Sequence, residues 1–129
     1  MPEPSLATAS QSRPDAGRVV GKALVRAADA LRLSGRQVGE VIGVSPATVS
    51  RLRSEGYRLE PGTKPFELAV LFVRLYRALD AMTGGDDAVS AAWLAAPNLA
   101  LDAVPAERIR TVSGLLDVIA YLDARRARV

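Results

Sequence analysis

Between Gln37 and Leu52 the chain sets out a group of residues suited to meeting the edge of a base: Ser45, Pro46, Ala47, Thr48, Ser50 and Arg51, with Arg53 just beyond. Serine and threonine hydroxyls bond either kind of base, and Ala47 or the Thr48 methyl fits against a thymine methyl group. Arg51 can fork onto guanine or clamp a phosphate. Lys22, Arg26, Arg36 and Arg58 are cations of the kind that contact phosphates and fix position without reading sequence. Ser45 followed by Pro46 is also a helix start, a hydroxyl cap ahead of proline at the first helical position, and it aims backbone amides at an anion.

The rest of the composition narrows the chemistry by exclusion. The 129 residues contain no His and no Cys. Imidazole bases, Ser-His-Asp and Cys-His pairs, thiolate nucleophiles, disulfides and the usual zinc ligands are therefore missing. Carboxylate or Ser/Lys catalysis would need positive evidence, and the expectation is a protein that is not an enzyme and uses no cofactor. Asp86 and Asp87 could be read as a metal pair, but adjacent carboxylates at a helix start are ordinarily caps. No uninterrupted apolar run reaches transmembrane length, and the start of the chain lacks the basic and apolar parts of a signal peptide. No membrane partner and a cytoplasmic address are expected. Charge is unevenly placed: residues 1–65 hold 10 basic and 6 acidic side chains, residues 66–129 hold 7 and 8. A cationic front half points to a polyanionic partner.

The elements that must position these groups are helical. Aromatic residues make up only 5% of a chain that is 49% apolar, and Ala, Val and Leu dominate that share, which favours helices over a sandwich. Met1 to Ala16, with Pro2, Pro4 and Pro14, shows no periodic pattern and reads as a disordered arm. From Gly17 to Leu33, Val20, Ala23, Leu24, Ala27 and Leu31 recur at helical spacing. A short helix over Gly35–Ile42 ends at Gly43, and a third runs from Ser45-Pro46 to about Glu55, stopped by Gly56. Gly39 offers a small surface for the third helix to approach, while Val44 and Val49 lock the pair to the core. This spacing is a helix-turn-helix. The alternative, an ordinary helical hairpin, accounts for each feature singly but less well for their joint spacing and the basic front half.

After a Pro/Gly connector, the longest helix spans Pro65 to Met82 and is apolar on more than one face. Such a helix is buried on several sides, at the centre of the fold or at a subunit interface, and a homodimer is expected from it. Thr83-Gly84-Gly85 ends it. A helix carrying Trp93 follows, then a loop over Asn98–Val104 with Leu99 and Leu101 as anchors. A short helix over Ala106–Val112 comes next, and Ser113-Gly114 introduces a final helix ending in Arg125, Arg126 and Arg128.

Residues 34–56 resemble the Xre-type helix-turn-helix of phage and plasmid repressors, departing at Gly35 where that family often has Gln. The back half is similar to the C-terminal domain of the MbcA/ParS/Xre antitoxin family. It carries Trp93-Leu94, Pro97-Asn98, Leu101, Pro105 and a final helix begun by Gly114, although Asp102-Ala103 replaces the usual Gly pair. The resemblance implies a dimeric, operator-binding antitoxin that neutralises a RES-type toxin, which attacks NAD or uses it to ADP-ribosylate. On that basis Trp93, Asn98, Leu99, Arg125, Arg126, Arg128 and Val129 are the toxin-binding candidates. A basic tail would enter a cleft built for the phosphates of NAD. For Trp93 and Leu101 plain packing is the competing reading, for Asn98 a turn-fixing role, and for the arginines a match to the helix dipole.

The expected fold is all-α: an arm over 1–16, an Xre-like DNA-binding unit over 17–64, and a helical toxin-binding and dimerisation unit over 65–129. The alternative function is a stand-alone dimeric repressor without a toxin.

Overall fold

The computed structural model describes residues 15–127, so the arm, apart from its last two residues, and the terminal Arg128 and Val129 lie outside the described residues. Seven helices occupy this span: α1 (Ala16–Ala30), α2 (Gly35–Ile42), α3 (Pro46–Arg53), α4 (Lys64–Thr83), α5 (Asp87–Ala95), α6 (Pro105–Arg108) and α7 (Val112–Ala127). The all-α class is as expected.

Most of the helix starts are written in short polar side chains. Asp15, Ser34, Ser45, Thr63 and Asp86 each accept a hydrogen bond from an amide three residues on, satisfying a donor that the first turn leaves orphaned. At α2 the cap is reciprocal, because Gln37 Oε1 accepts from the Ser34 amide (2.9 Å) while Ser34 Oγ accepts from that of Gln37 (3.1 Å). Gly43 closes α2 in the left-handed conformation. At Gly39 a Cβ would stand 2.5 Å from the Val44 carbonyl oxygen. The close approach is thus made by the backbone of the turn, not by the third helix as the spacing suggested.

α4 is the hub. It packs against α1, α2, α5 and α7, and Ala69, Phe72, Leu75, Ala78 and Leu79 along it are buried. One buried cluster runs through it from Leu24 on α1 to Leu122 on α7. The all-round apolarity of α4 is therefore largely used within its own chain. What remains outside is Val70, 43% exposed, which lines a groove of about 370 Å³ with Val19, Val20, Ala23, Val73, Arg74 and Arg77.

Three local expectations are corrected. The third helix ends at Arg53, and the left-handed residue behind it is Glu55 (φ 62°), with the Gly56 amide donating to the Arg51 carbonyl. The α6 helix stops at Arg108, and α7 begins at Val112 with Thr111 Oγ1 accepting from the Gly114 amide (3.0 Å). Of the two expected loop anchors, only Leu101 is buried; Leu99 is 99% exposed. The reason is the turn itself. Asn98 and Ala103 pair backbone to backbone, Asn98 Oδ1 accepts from the Leu101 amide, and Asp102 takes a positive φ of 53°, so Leu101 turns inward and Leu99 is left at the tip.

Candidate nucleic-acid and protein-binding surfaces

Burial of Val49 and Leu52 fixes which side of α3 faces out. Pro46, Ala47, Ser50 and Arg51 are exposed and Thr48 is half-buried, so the edge expected to read bases is open. Its polar groups form a chain along the helix. Ser45 Oγ caps the Thr48 amide and lies 3.0 Å from Thr48 Oγ1, and Arg51 Nη2 donates to that same oxygen at 3.3 Å. Thr48 thus sits between the cap and the guanidinium, holding Arg51 along the helix edge.

The remaining cations divide into two groups. Arg53 donates to Asp29 on α1, and Glu55 faces both Arg18 (3.4 Å) and Lys22 (3.9 Å). A cleft of about 320 Å³ between α1 and α3 therefore holds Lys22, Arg26 and Arg53 together with Asp29 and Glu55. Arg58 is paired with Asp15, whose carboxyl is held below its ordinary value first by the hydrogen bond from the Arg18 amide and further by the charge of Arg58. Arg26, Arg36 and Arg51 have no carboxylate partner among the described residues. The structure thus gathers the α3 candidates on one edge, but commits Lys22 and Arg53 to acids. Those ion pairs join α1 to α3 and to the turn behind it and carry no local sequence signal.

In the C-terminal part of the chain Trp93 is half-buried and stacks on Tyr121, with ring centroids 6.2 Å apart and planes 21° from parallel. Arg125 lies over the same tyrosine at 5.6 Å and donates to its hydroxyl at 3.0 Å. Trp93, Tyr121 and Arg125 form one side-chain cluster that links α5 to α7. Tyr121 was missed from sequence, and only its spacing of four from Arg125 hinted at it. Arg126 is exposed and, with Arg125, borders a cleft against Ala81 and Met82. Asn98 is spent inside its turn.

Asp86 caps α5 and Asp87 accepts from the Tyr76 hydroxyl at 2.9 Å. Among the described residues no group of acidic side chains is placed to hold a metal, and no helix is long and apolar enough to cross a membrane.

Two family profiles match the chain. One, described as the antitoxin Xre-like helix-turn-helix domain, covers residues 10–74; the other, described as the antitoxin Xre/MbcA/ParS C-terminal toxin-binding domain, covers residues 78–128. A comparison with curated proteins finds no match.

Proposed function

The chain belongs to the Xre-like antitoxin family, a DNA-binding helix-turn-helix joined to a toxin-binding domain, and on that premise we propose that its toxin is of the RES type and that the chain represses its own operon. In this reading it acts by binding alone, without catalysis or a cofactor of its own. Residues 17–64 bind the operator and residues 65–129 hold the toxin and the second copy. The observation that carries the proposal is the presence of both matches on one chain whose α3 edge is open to solvent.

At the operator, Ser45, Pro46, Ala47, Thr48, Ser50 and Arg51 face base edges, and Arg26 and Arg36 take phosphates. Lys22 and Arg53 join them only by exchanging a carboxylate for a phosphate. So few free cations make a single helix-turn-helix a weak binder, and a homodimer with two recognition helices about 34 Å apart would read a palindrome. The groove around Val19 and Val70 is the apolar surface on α1 and α4 available for that pairing. At the toxin, Trp93 and Asn98 shape the surface, and Arg125 and Arg126 lead the basic end of α7, with Arg128 and Val129, toward a cleft that receives the phosphates of NAD.

Co-expression with the product of the adjacent open reading frame tests this. The expected result is co-purification of a small protein that consumes NAD once freed from the chain, together with a gel shift on the chain's own upstream DNA. A partner that leaves NAD untouched overturns the RES assignment. Absence of any partner alongside a specific gel shift favours the stand-alone repressor.

A further inference from the structure

Leu99 is 99% exposed, and it sits on a turn that cannot easily move it out of water. The turn is pinned by the Asn98–Ala103 backbone pair, by the Asn98 side chain on the Leu101 amide, and by burial of Leu101 itself. Arg108 adds a clamp from outside, with Nη1 donating to the Leu101 carbonyl at 2.7 Å and Nη2 to Asp117 on α7 at 2.9 Å. The same guanidinium thus ties the turn to the outer side of α7. Beside Asp117 stand Leu116 and, one turn earlier, Val112, exposed to 46% and 53%. The charged group displayed by the turn is Asp102, which is exposed.

A leucine left in water on a rigid support gains only by being buried elsewhere, and rigidity removes most of the ordering cost of doing so. At protein interfaces a few well-packed side chains, desolvated on binding, carry most of the energy. We propose that Leu99 is the anchor by which the toxin-binding domain grips its toxin. It inserts into an apolar pocket of that protein, with Val112 and Leu116 continuing the contact and a cation at the pocket rim meeting Asp102. The inference rests on the antitoxin reading and deepens it, because Leu99 lies within the matched span 78–128. It selects Leu99 among the candidates named from the sequence and adds a point of grip at the 98–103 turn to the arginine-rich end of α7.

The test uses the full chain co-expressed with the product of the adjacent open reading frame, in wild-type, Leu99→Asp and Leu99→Met forms. Burial of one leucine corresponds to a loss of roughly 10–100-fold in affinity on replacement. The expected result is that Leu99→Asp no longer retains the partner while Leu99→Met does. Thermal unfolding and the operator gel shift stay unchanged, since so exposed a side chain supports nothing in the fold. Leu99→Asp binding the partner as tightly as the wild type overturns the anchor and leaves the antitoxin reading standing. A wild-type chain that retains no partner overturns the toxin reading and the anchor with it. Conversion of a partner-free dimer to a monomer by Leu99→Asp reassigns the turn to self-association and overturns the proposal.

Discussion

At the α3 edge Ser45, Thr48 and Arg51 are bonded to one another, and the cations around them are largely answered by carboxylates of the same chain. At the 98–103 turn the polar groups are spent holding the turn itself, and what reaches solvent is a leucine. The first surface suits a ligand that offers hydrogen-bonding edges in a fixed geometry and is already rich in charge. The second suits one that can take apolar area out of water. Both stand on the same buried cluster through α4, so they share stability although they share no chemistry.

The largest effect tests that sharing. Phe72 is fully buried at the middle of α4, and Phe72→Ala should cost about 3–5 kcal/mol through lost burial and the cavity left behind. Denaturant unfolding, followed by helix signal and by Trp93 fluorescence, should show one transition moved for both probes. A variant in which only one probe shifts would separate the two regions.

The shared hub also marks where the sequence was readable and where it was not. Caps and turns were legible because their physics is local: Ser45-Pro46, Gly43 and the Gly84 stop follow from hydroxyl geometry and glycine's access to positive φ. The all-round apolarity of α4 showed that it is buried on several sides, but the periodicity could not name which helices cover it. Which of Leu99 and Leu101 turns inward depends on the backbone at Asp102, and a pattern of apolar residues is silent about that angle. The Arg53–Asp29 and Glu55–Lys22 pairs and the Trp93–Tyr121 stack join residues far apart in the chain. No spacing rule reaches them. Glu55 in the left-handed position, with a glycine next to it, shows a tertiary ion pair accompanying a choice that local preference would have made otherwise.

Next in size is the base-reading edge. Arg51→Ala should weaken binding to the upstream DNA by about 1–3 kcal/mol and relax preference at one base position. Thr48→Val keeps the side-chain shape but removes the oxygen that holds Arg51, and should cost about 1 kcal/mol of discrimination. The salt dependence should stay as in the wild type, because no phosphate contact is lost. Gel shifts against a set of single-base variants at two salt concentrations check both. Equal loss on every sequence for Thr48→Val would make Thr48 a plain helix residue, not a positioning one.

Glu55→Gln sharpens the electrostatic half of the comparison. Exposed pairs of this kind contribute at most about 1 kcal/mol to folding, so stability should barely change. DNA binding should improve several-fold at low salt, with the slope of log affinity against log salt steeper by about 0.9 for each phosphate that Arg18 or Lys22 then contacts. Toxin retention should not respond. An unchanged slope would show that these two cations stand off the DNA.

The smallest effect is in acid. The Asp15 carboxyl is lowered from its ordinary 3.8, first by the Arg18 amide and then by Arg58, so its ionised form is favoured in the fold over the open chain. A depressed value means that the stabilisation is fully present above the ordinary carboxylate range and is lost as pH falls through the lower folded value. Between pH 7 and pH 5 nothing should change; only once the pH has fallen below the ordinary carboxylate range should the first turn of α1 fray as the cap protonates. At the 98–103 turn Asn98 performs the equivalent capping with an amide, which has no proton to gain in this range. Amide exchange and chemical shifts followed down in pH should therefore show Arg18 loosening while Leu101 keeps its protection, and Asp15→Asn should flatten the Arg18 response. Loss at both amides together would mean that acid unfolds the shared core before it touches the cap, and the front edge would then have no sensitivity of its own.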